Sequence, residues 1–294
     1  MNESLGPLLT RAESLLARLE NWLPPAPTSI DWQQCLAARW QRDGRHGHLQ
    51  ALQVNLQLRL DDLCGVERQV AQLAGNTRQF LRGLPANHAL LWGARGTGKS
   101  SLVRALLAEY AGQGLRLIEI ERNHLADLPR IVEGLACLPQ RFVLFCDDLS
   151  FEAGEGDYRQ LKSVLDGSLE QAPDNVLLYA TSNRRHLLPE RQSDNQHWQT
   201  VEGEVHPSEA VEDKVALSDR FGLWLSFYPF TQDQYLAVVR HWLQHYASAA
   251  GLTWEWGRSL ELEAIRWAGG RGNRNGRCAS QFARSWVGRA LLEQ

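Results

Sequence analysis

ALLWGARGTGKSS, spanning Ala89 to Ser101, is the segment from which the rest of the 294-residue chain can be laid out. It reads as a short apolar strand (Ala89 to Trp92), a glycine-rich loop (Gly93 to Gly98), then Lys99, Ser100 and a helix marked by Leu102, Val103, Leu106 and Leu107. Gly93, Gly98, Lys99 and Ser100 satisfy the spacing G-x-x-x-x-G-K-[ST]. Glycines there let successive N–H groups turn inward around a phosphate at a helix N-terminus. The lysine supplies a point charge for the β- and γ-phosphates, and the serine hydroxyl can hold Mg²⁺. Gly93, Ala94, Arg95, Gly96, Thr97, Gly98, Lys99, Ser100 and Ser101 are therefore the candidate phosphate-loop contacts, with Arg95 facing solvent rather than serving catalysis.

Downstream, short apolar runs alternate with helical spacing. Strands are predicted at Leu115–Ile120, Phe142–Cys146, Val176–Ala180 and Leu223–Phe227. The helices between them are marked by Leu125, Leu128, Ile131, Val132 and Leu135, then by Leu161, Val164, Leu165 and Leu169. Continuous apolar strands between helices imply a parallel sheet covered on both faces, here with five core strands. Residues 192–213 form a long polar stretch, and a loop of that length is usually functional or mobile. Past Pro229 the chain turns helical. Thr231 with Gln234 is a capping-box start, Tyr235 to Tyr246 carries one buried stripe, and Ala279 to Leu291 carries another on a helix beginning near Asn275.

Upstream, Leu5 to Leu23 has helical spacing ended by Pro24, Pro25 and Pro27. A second helical stretch is predicted over Asp31–Trp40, followed by the polar loop RDGRHGH, where nothing completes a metal site around His46 and His48. Ala51 to Leu60 alternates strictly and reads as a half-buried strand, and Val70 to Leu81 as a helix. The chain thus divides into an N-terminal helical extension with a strand (1–60), an α/β core (61–228) and a helical lid (229–294).

A hydrophobic content of 44% and a charged content of 22% suit a globular protein, and the net charge of −3 offers no global basic field for nucleic acid. The segment Arg266–Arg289 differs, with six arginines and no acid. The five cysteines form no C-x-x-C pair or metal spacing, as expected of reduced thiols. The first twenty residues carry acids, unlike a signal peptide, and no apolar run is long enough for a membrane span. A soluble cytoplasmic protein without a membrane partner is expected.

The strand RFVLFCDD ends in Asp147 and Asp148. At the carboxyl edge of a parallel sheet, Asp147 can hold Mg²⁺ together with Ser100, while Asp148 faces the γ-phosphate and orients or activates water. Glutamate is more usual in the second position, and aspartate is one methylene shorter, which suits slow hydrolysis. Glu152 is the reserve base.

With these acids in place, the phosphate loop, the strand ending Asp147-Asp148 and the strand ending ATSN (Ala180 to Asn183) resemble the AAA+ ATPases. DDLCGVERQ, GLPANHALLWGARGTGKSSLV, FVLFCDDLSFE, LLYATSNRRHLLPE, LSDRFGLWLSFYPF and GRCASQF are similar, more narrowly, to a bacterial family of stand-alone AAA+ ATP-binding proteins grouped as a domain of unknown function. The resemblance covers roughly residues 50 to 294, and implies a P-loop NTPase core of sheet order 5-1-4-3-2 with a C-terminal helical lid. By position it makes Asn183 the sensor-1 residue and Arg220 an arginine finger reaching a neighbouring subunit. Arg277 matches the lid's sensor-2 arginine, with Arg271 and Arg274 as competitors. Within Leu63 to Val66, Cys64, Gly65 and Val66 resemble the segment packed against adenine. The loop ERNHLAD lacks the aromatic–hydrophobic–glycine signature of motors that thread polypeptide.

The first expectation is a homo-oligomeric, Mg²⁺-dependent ATPase that switches or remodels a protein client. A nucleic-acid-binding loader is the alternative, motivated by the acid-free arginine segment. Against it, the lid from Pro229 onward carries +3 and the remainder −6. A non-hydrolysing, nucleotide-gated interaction module is the third, motivated by Asp148.

Overall fold

In a computed structural model, the described residues are 30–44, 46–149, 161, 165, 173–184, 199–201, 204–206 and 220–293. The expected Leu5–Leu23 helix, Glu152, most of the helix around Leu161–Leu169 and most of the polar stretch 192–213 lie outside them.

In chain order the strands are β1 (Ala37–Asp43), β2 (His46–Leu52), β3 (Ala89–Gly93), β4 (Leu115–Glu119), β5 (Arg141–Cys146), β6 (Val176–Ser182), β7 (Gln199–Val201), β8 (Glu204–His206) and β9 (Leu223–Phe227). The longer helices are α1 (Glu67–Leu81), α2 (Lys99–Tyr110), α3 (Leu128–Leu135), α4 (Gln232–Ala250), α5 (Arg258–Arg271) and α6 (Gly276–Leu292). The main sheet runs β2-β1-β4-β5-β6-β3-β9. Counting only the five core strands, that is the expected order 5-1-4-3-2, all parallel. Each core strand buries both faces. Ala89 and Leu91, Leu115 and Leu117, and Val143 and Phe145 enter one apolar cluster with α1, α2 and the lid. Leu90, Ile118, Phe142 and Leu144 enter the other, under α3. Burial on two sides erases the period-2 pattern and leaves the continuous apolar runs seen in the sequence.

Three expectations upstream are corrected. Asp31–Trp40 is not helical: β1 lies between β2 and β4, pairing parallel with β4 and antiparallel with β2. As an inner strand it buries Ala37, Ala38 and Trp40 on both faces, and three apolar residues so spaced imitate a helix stripe. The predicted polar loop RDGRHGH is largely strand: Arg42 pairs with Gly47 and Asp43 with His46, and Gly44 turns between them at φ +61°. Gly47 in β2 passes so close to Trp40 that a Cβ would stand 2.0 Å from its indole. The predicted strand Ala51–Leu60 ends at Leu52, because Leu52 pairs with Ala37, the first residue of β1. Beyond it Val54, Leu58 and Leu60 still pack against the core while their neighbours face solvent. The alternation there records an extended chain lying on the protein, not strand pairing.

Within the polar stretch 192–213, β7 and β8 pair antiparallel. In the lid, Thr231 caps α4 as expected: its Oγ1 accepts from Gln234 N–H, and its own N–H donates to Gln234 Oε1. Asn275 caps α6, accepting from Cys278 N–H at 2.8 Å. The helices α4 and α6 pack through Tyr235, Val239, Phe282 and Ala283, all fully buried. Among the described residues no helix is long and apolar enough to cross a membrane.

Candidate active site

The loop after β3 is held from two sides. Gly93 has φ +124°, and a Cβ there would lie 2.0 Å from the Phe227 carbonyl oxygen, so only glycine lets β3 and β9 close up at the loop's root. The next residue, Ala94, donates its N–H to the same oxygen at 2.9 Å. Gly98, at φ +104°, begins α2 and turns the chain so that Lys99 lies beneath the loop. Lys99 is 7% exposed. Its ammonium donates to the Gly93 and Ala94 carbonyls at 2.8 and 2.7 Å and to Asn183 Oδ1 at 3.3 Å. Burial pushes this ammonium below the usual lysine value, Asp147 and Asp148 pull it back up, and Arg95 and Arg277 push it down again.

The two aspartates follow β5 and meet the end of β6. Ser100 donates to Asp147 Oδ1 at 2.6 Å, and the Thr181 hydroxyl donates to the same oxygen at 2.5 Å. Thr181 also accepts the Asp148 N–H at 2.9 Å. Asp148 is the one non-glycine residue with positive φ among the described residues, at +55°. That left-handed bend carries its carboxylate away from Asp147 toward Asn183, whose Nδ2 donates to Asp148 Oδ1. Asn183 thus bridges Lys99 and Asp148. Thr181 was missed in the sequence, although it sits two residues before Asn183 and so shares a strand face with it.

These side chains line a hollow of about 820 Å³, ample for a nucleotide. Its lining combines polar residues, Gly96 to Ser101, Asp147, Asp148, Thr181 and Asn183, with apolar ones, Leu58, Leu63, Val66, Phe230, Val238 and Trp242. The lid closes one side through main-chain contacts: Arg277 N–H donates to the Gly96 carbonyl at 3.1 Å, and Asn275 Nδ2 to the Arg95 carbonyl at 3.0 Å. A second tie joins core and lid where Asp62 Oδ1 meets His241 Nε2 at 3.1 Å.

Of the expected site residues, Cys64, Val66, Arg95, Gly96, Thr97, Gly98, Lys99, Ser100, Ser101, Asp147, Asp148, Asn183 and Arg277 line this one hollow. Gly93 and Ala94 act from behind it, through carbonyls that hold Lys99. Gly65 is not among the lining residues and lies beside the Phe230 ring. Of the three candidate lid arginines Arg277 lines the hollow, as does Arg284 further along α6; Arg271 stacks on Trp267 at 3.6 Å, and Arg274 gives its carbonyl to Phe230 N–H. Arg220 lies elsewhere. It precedes β9 at the end where Leu223 pairs with Ala89, whereas the loop follows the end where Phe227 pairs with Gly93. Five strand residues, about 16 Å at the usual rise, separate the two edges.

The donor set fits a magnesium nucleotide. Mg²⁺ takes oxygen from one or two carboxylates, substrate phosphates and water, and Asp147 with Ser100 offers that chemistry beside a positive-φ glycine loop. Among the described residues there is no group of three or more His, Cys, Asp or Glu side chains that would form an all-protein metal cage.

The sequence model of the family described as "Protein of unknown function (DUF815)" matches residues 33–290. No curated protein matches the chain. Among solved structures, a proline-to-glycine mutant of RuvB from Thermotoga maritima is similar at 18% identity and a TM-score of 0.51, covering 77% of this chain and 64% of that one. The Orc1 protein of Aeropyrum pernix, solved in complex with DNA, is similar at 16% identity and a TM-score of 0.53, covering 80% of this chain and 65% of that one. The chain therefore spans less than two thirds of the length of either. Both neighbours are AAA+ ATPases, and the likeness is one of fold: a mostly parallel α/β sheet with flanking helices.

Proposed function

The chain belongs to that family, and from this premise we propose that it is an AAA+ ATPase which binds ATP with Mg²⁺ and hydrolyses it at an interface between copies of itself. The observation that carries the reading is the meeting of Lys99, Ser100, Asp147, Asp148 and Asn183 in one hollow that apolar side chains also line. Adenine packs against Leu63, Val66 and Trp242, and the triphosphate lies along Gly96–Ser101. Lys99 leaves the Gly93 and Ala94 carbonyls for the β- and γ-phosphates. Ser100 and Asp147 would hold Mg²⁺, which would supply neutralisation of the phosphate charge. Asp148, fixed by Asn183 and by the bend at its own φ, takes the proton of the attacking water as the oxygen–phosphorus bond forms and ADP departs.

The position of Arg220 supports the self-association part of this reading. A guanidinium at the opposite strand edge does not reach its own γ-phosphate, so in this reading it serves a neighbouring copy. Arg277 couples the lid to the nucleotide, since its backbone already holds the loop at Gly96. The arginines of the lid favour this reading over a nucleic-acid stripe. Arg271 stacks on Trp267, Arg289 pairs with Glu263, Arg284 donates to the Tyr246 hydroxyl at 3.1 Å, and both Arg277 and Arg284 line the hollow.

The test is phosphate release from Mg²⁺-ATP by the wild type and by Lys99→Ala, Asp147→Asn and Arg220→Ala. Light scattering with and without a non-hydrolysable analogue runs alongside. Each variant is expected to lose turnover, and the analogue to enlarge the wild-type particle. Unchanged turnover in Lys99→Ala would refute the catalytic assignment, and a monomer at every condition would refute the in-trans finger.

A further inference from the structure

A second cavity, of about 310 Å³, opens where the loop tip meets the corner between α5 and α6. It adjoins the main hollow across Arg95, Gly96, Arg277 and Gln281 but contains neither Lys99 nor the two aspartates. Three arginines line it, Arg95, Arg271 and Arg277, and no acidic residue does. The N-terminus of the 17-residue α6 points into the same corner, with no acidic residue in its first turn. Like charges so gathered repel one another, and Arg95 and Arg277 are already felt by Lys99 as positive neighbours.

The cluster is also organised. Arg271 is stacked over the Trp267 ring at 3.6 Å, a contact that holds its guanidinium in place. Asn275 is fixed at both ends, accepting from Cys278 N–H and donating to the Arg95 carbonyl. Asn273 is tied to the Arg271 carbonyl at 3.1 Å. The volume equals that of about ten waters in the liquid, which is room for more than one phosphate.

We propose that this corner is a second oxyanion site, beside the triphosphate cradle and separate from it, which takes a chain of phosphates through Arg271, Arg95 and Arg277. The chemistry has two possible sources: inorganic polyphosphate, or the tail of a nucleotide longer than a triphosphate that passes from the hollow between Arg95 and Arg277. The separateness of the site rests on the nucleotide reading of the hollow; the arginine corner itself does not.

The experiment uses the full chain saturated with Mg²⁺ and the imido analogue of ATP, titrated calorimetrically with inorganic tripolyphosphate. In parallel, adenosine 5′-tetraphosphate is compared with ATP. A saturable tripolyphosphate event on the saturated protein assigns the site to free polyphosphate. Tetraphosphate binding about tenfold tighter than ATP assigns it to a nucleotide tail. In either case Arg271→Ala and the longer Arg271→Gln should erase the effect and leave analogue affinity unchanged, since Arg271 does not line the main hollow. Neither effect appearing, tripolyphosphate merely displacing the analogue, or both Arg271 variants behaving as wild type would overturn the proposal. Failure of the analogue itself to bind the wild type counts against the nucleotide reading, and Arg271-dependent tripolyphosphate binding would still test the corner alone.

Discussion

Ser100 and Asp147, 47 residues apart in the chain, meet at 2.6 Å, the serine hydroxyl donating to the aspartate Oδ1. This contact joins the first turn of α2 to the end of β5 and brings together the two side chains that would hold Mg²⁺. Asp147→Asn keeps the size of the side chain and removes its charge. Mg²⁺-dependent phosphate release should fall about a hundredfold or more, because metal charge stabilisation is worth several kcal/mol. ATP binding in EDTA should be retained. The check is turnover against Mg²⁺ concentration, and a variant with the wild-type Mg²⁺ curve would remove Asp147 from the metal site.

Thr181 holds both acids at once, donating to Asp147 and accepting from the Asp148 N–H, and it is 2% exposed. Thr181→Val keeps the shape and removes both bonds; Thr181→Ser keeps the hydroxyl. The valine variant should lose about tenfold in kcat with little change in KM, each net hydrogen bond to a charged group being worth about 1.5–3 kcal/mol. The serine variant should recover most of it. A valine effect confined to thermal stability, with kcat intact, would make Thr181 a packing residue only.

Asn275 serves two masters across the lid seam, capping α6 and holding the Arg95 carbonyl. Asn275→Asp preserves the cap acceptor and loses the donor to the loop, whereas Asn275→Ala loses both. The alanine variant should lose about 1–2 kcal/mol in urea unfolding, the range for a lost cap. The aspartate variant should keep nearly full stability and yet bind ATP more weakly. Equal stability losses in both variants would assign the whole effect to the loop contact.

His88 supplies a pH dependence away from the site. Burial pushes its pKa down to about 4, and its Nδ1 accepts the Leu178 N–H, a bond that protonation there would destroy. Between pH 6.5 and about 4 the unfolded chain binds the proton and the folded chain does not, so stability falls as pH falls through that window. The loss amounts to about 3 kcal/mol at most. Unfolding curves across the window should flatten in His88→Asn, which keeps an acceptor but does not titrate. An unchanged slope would place the acid sensitivity elsewhere.

The nucleotide end of the site was legible because its chemistry is local: Gly93, Gly98, Lys99 and Ser100 lie within eight positions, and Asp147 and Asp148 end an apolar strand. Leu223–Phe227 was legible to the residue, since a run buried on two faces stops where its neighbours stop. Long-range partners were not legible. Nothing in Asp31–Trp40 says that β4 will pair with it, so three apolar residues of an inner strand looked like a helix face. Nothing in Ala51–Leu60 says that β1 will run out at Ala37. Likewise Asp62 and His241 meet only once the lid is folded over the core. The α5 helix escaped notice because its apolar stripe is thin, with Leu260, Ala264 and Ala268 alone fully buried.

The most direct measurement is calorimetric titration of the purified chain with a non-hydrolysable ATP analogue, with and without Mg²⁺, in the wild type and in Lys99→Ala. The wild type should bind one analogue per chain, more tightly with Mg²⁺ than without, and the alanine variant should weaken binding by about a hundredfold, the scale of a lost buried charge contact. Binding that ignores both Mg²⁺ and Lys99, or no binding at all, would mean that the hollow beneath Gly93–Ser100 does not hold a triphosphate.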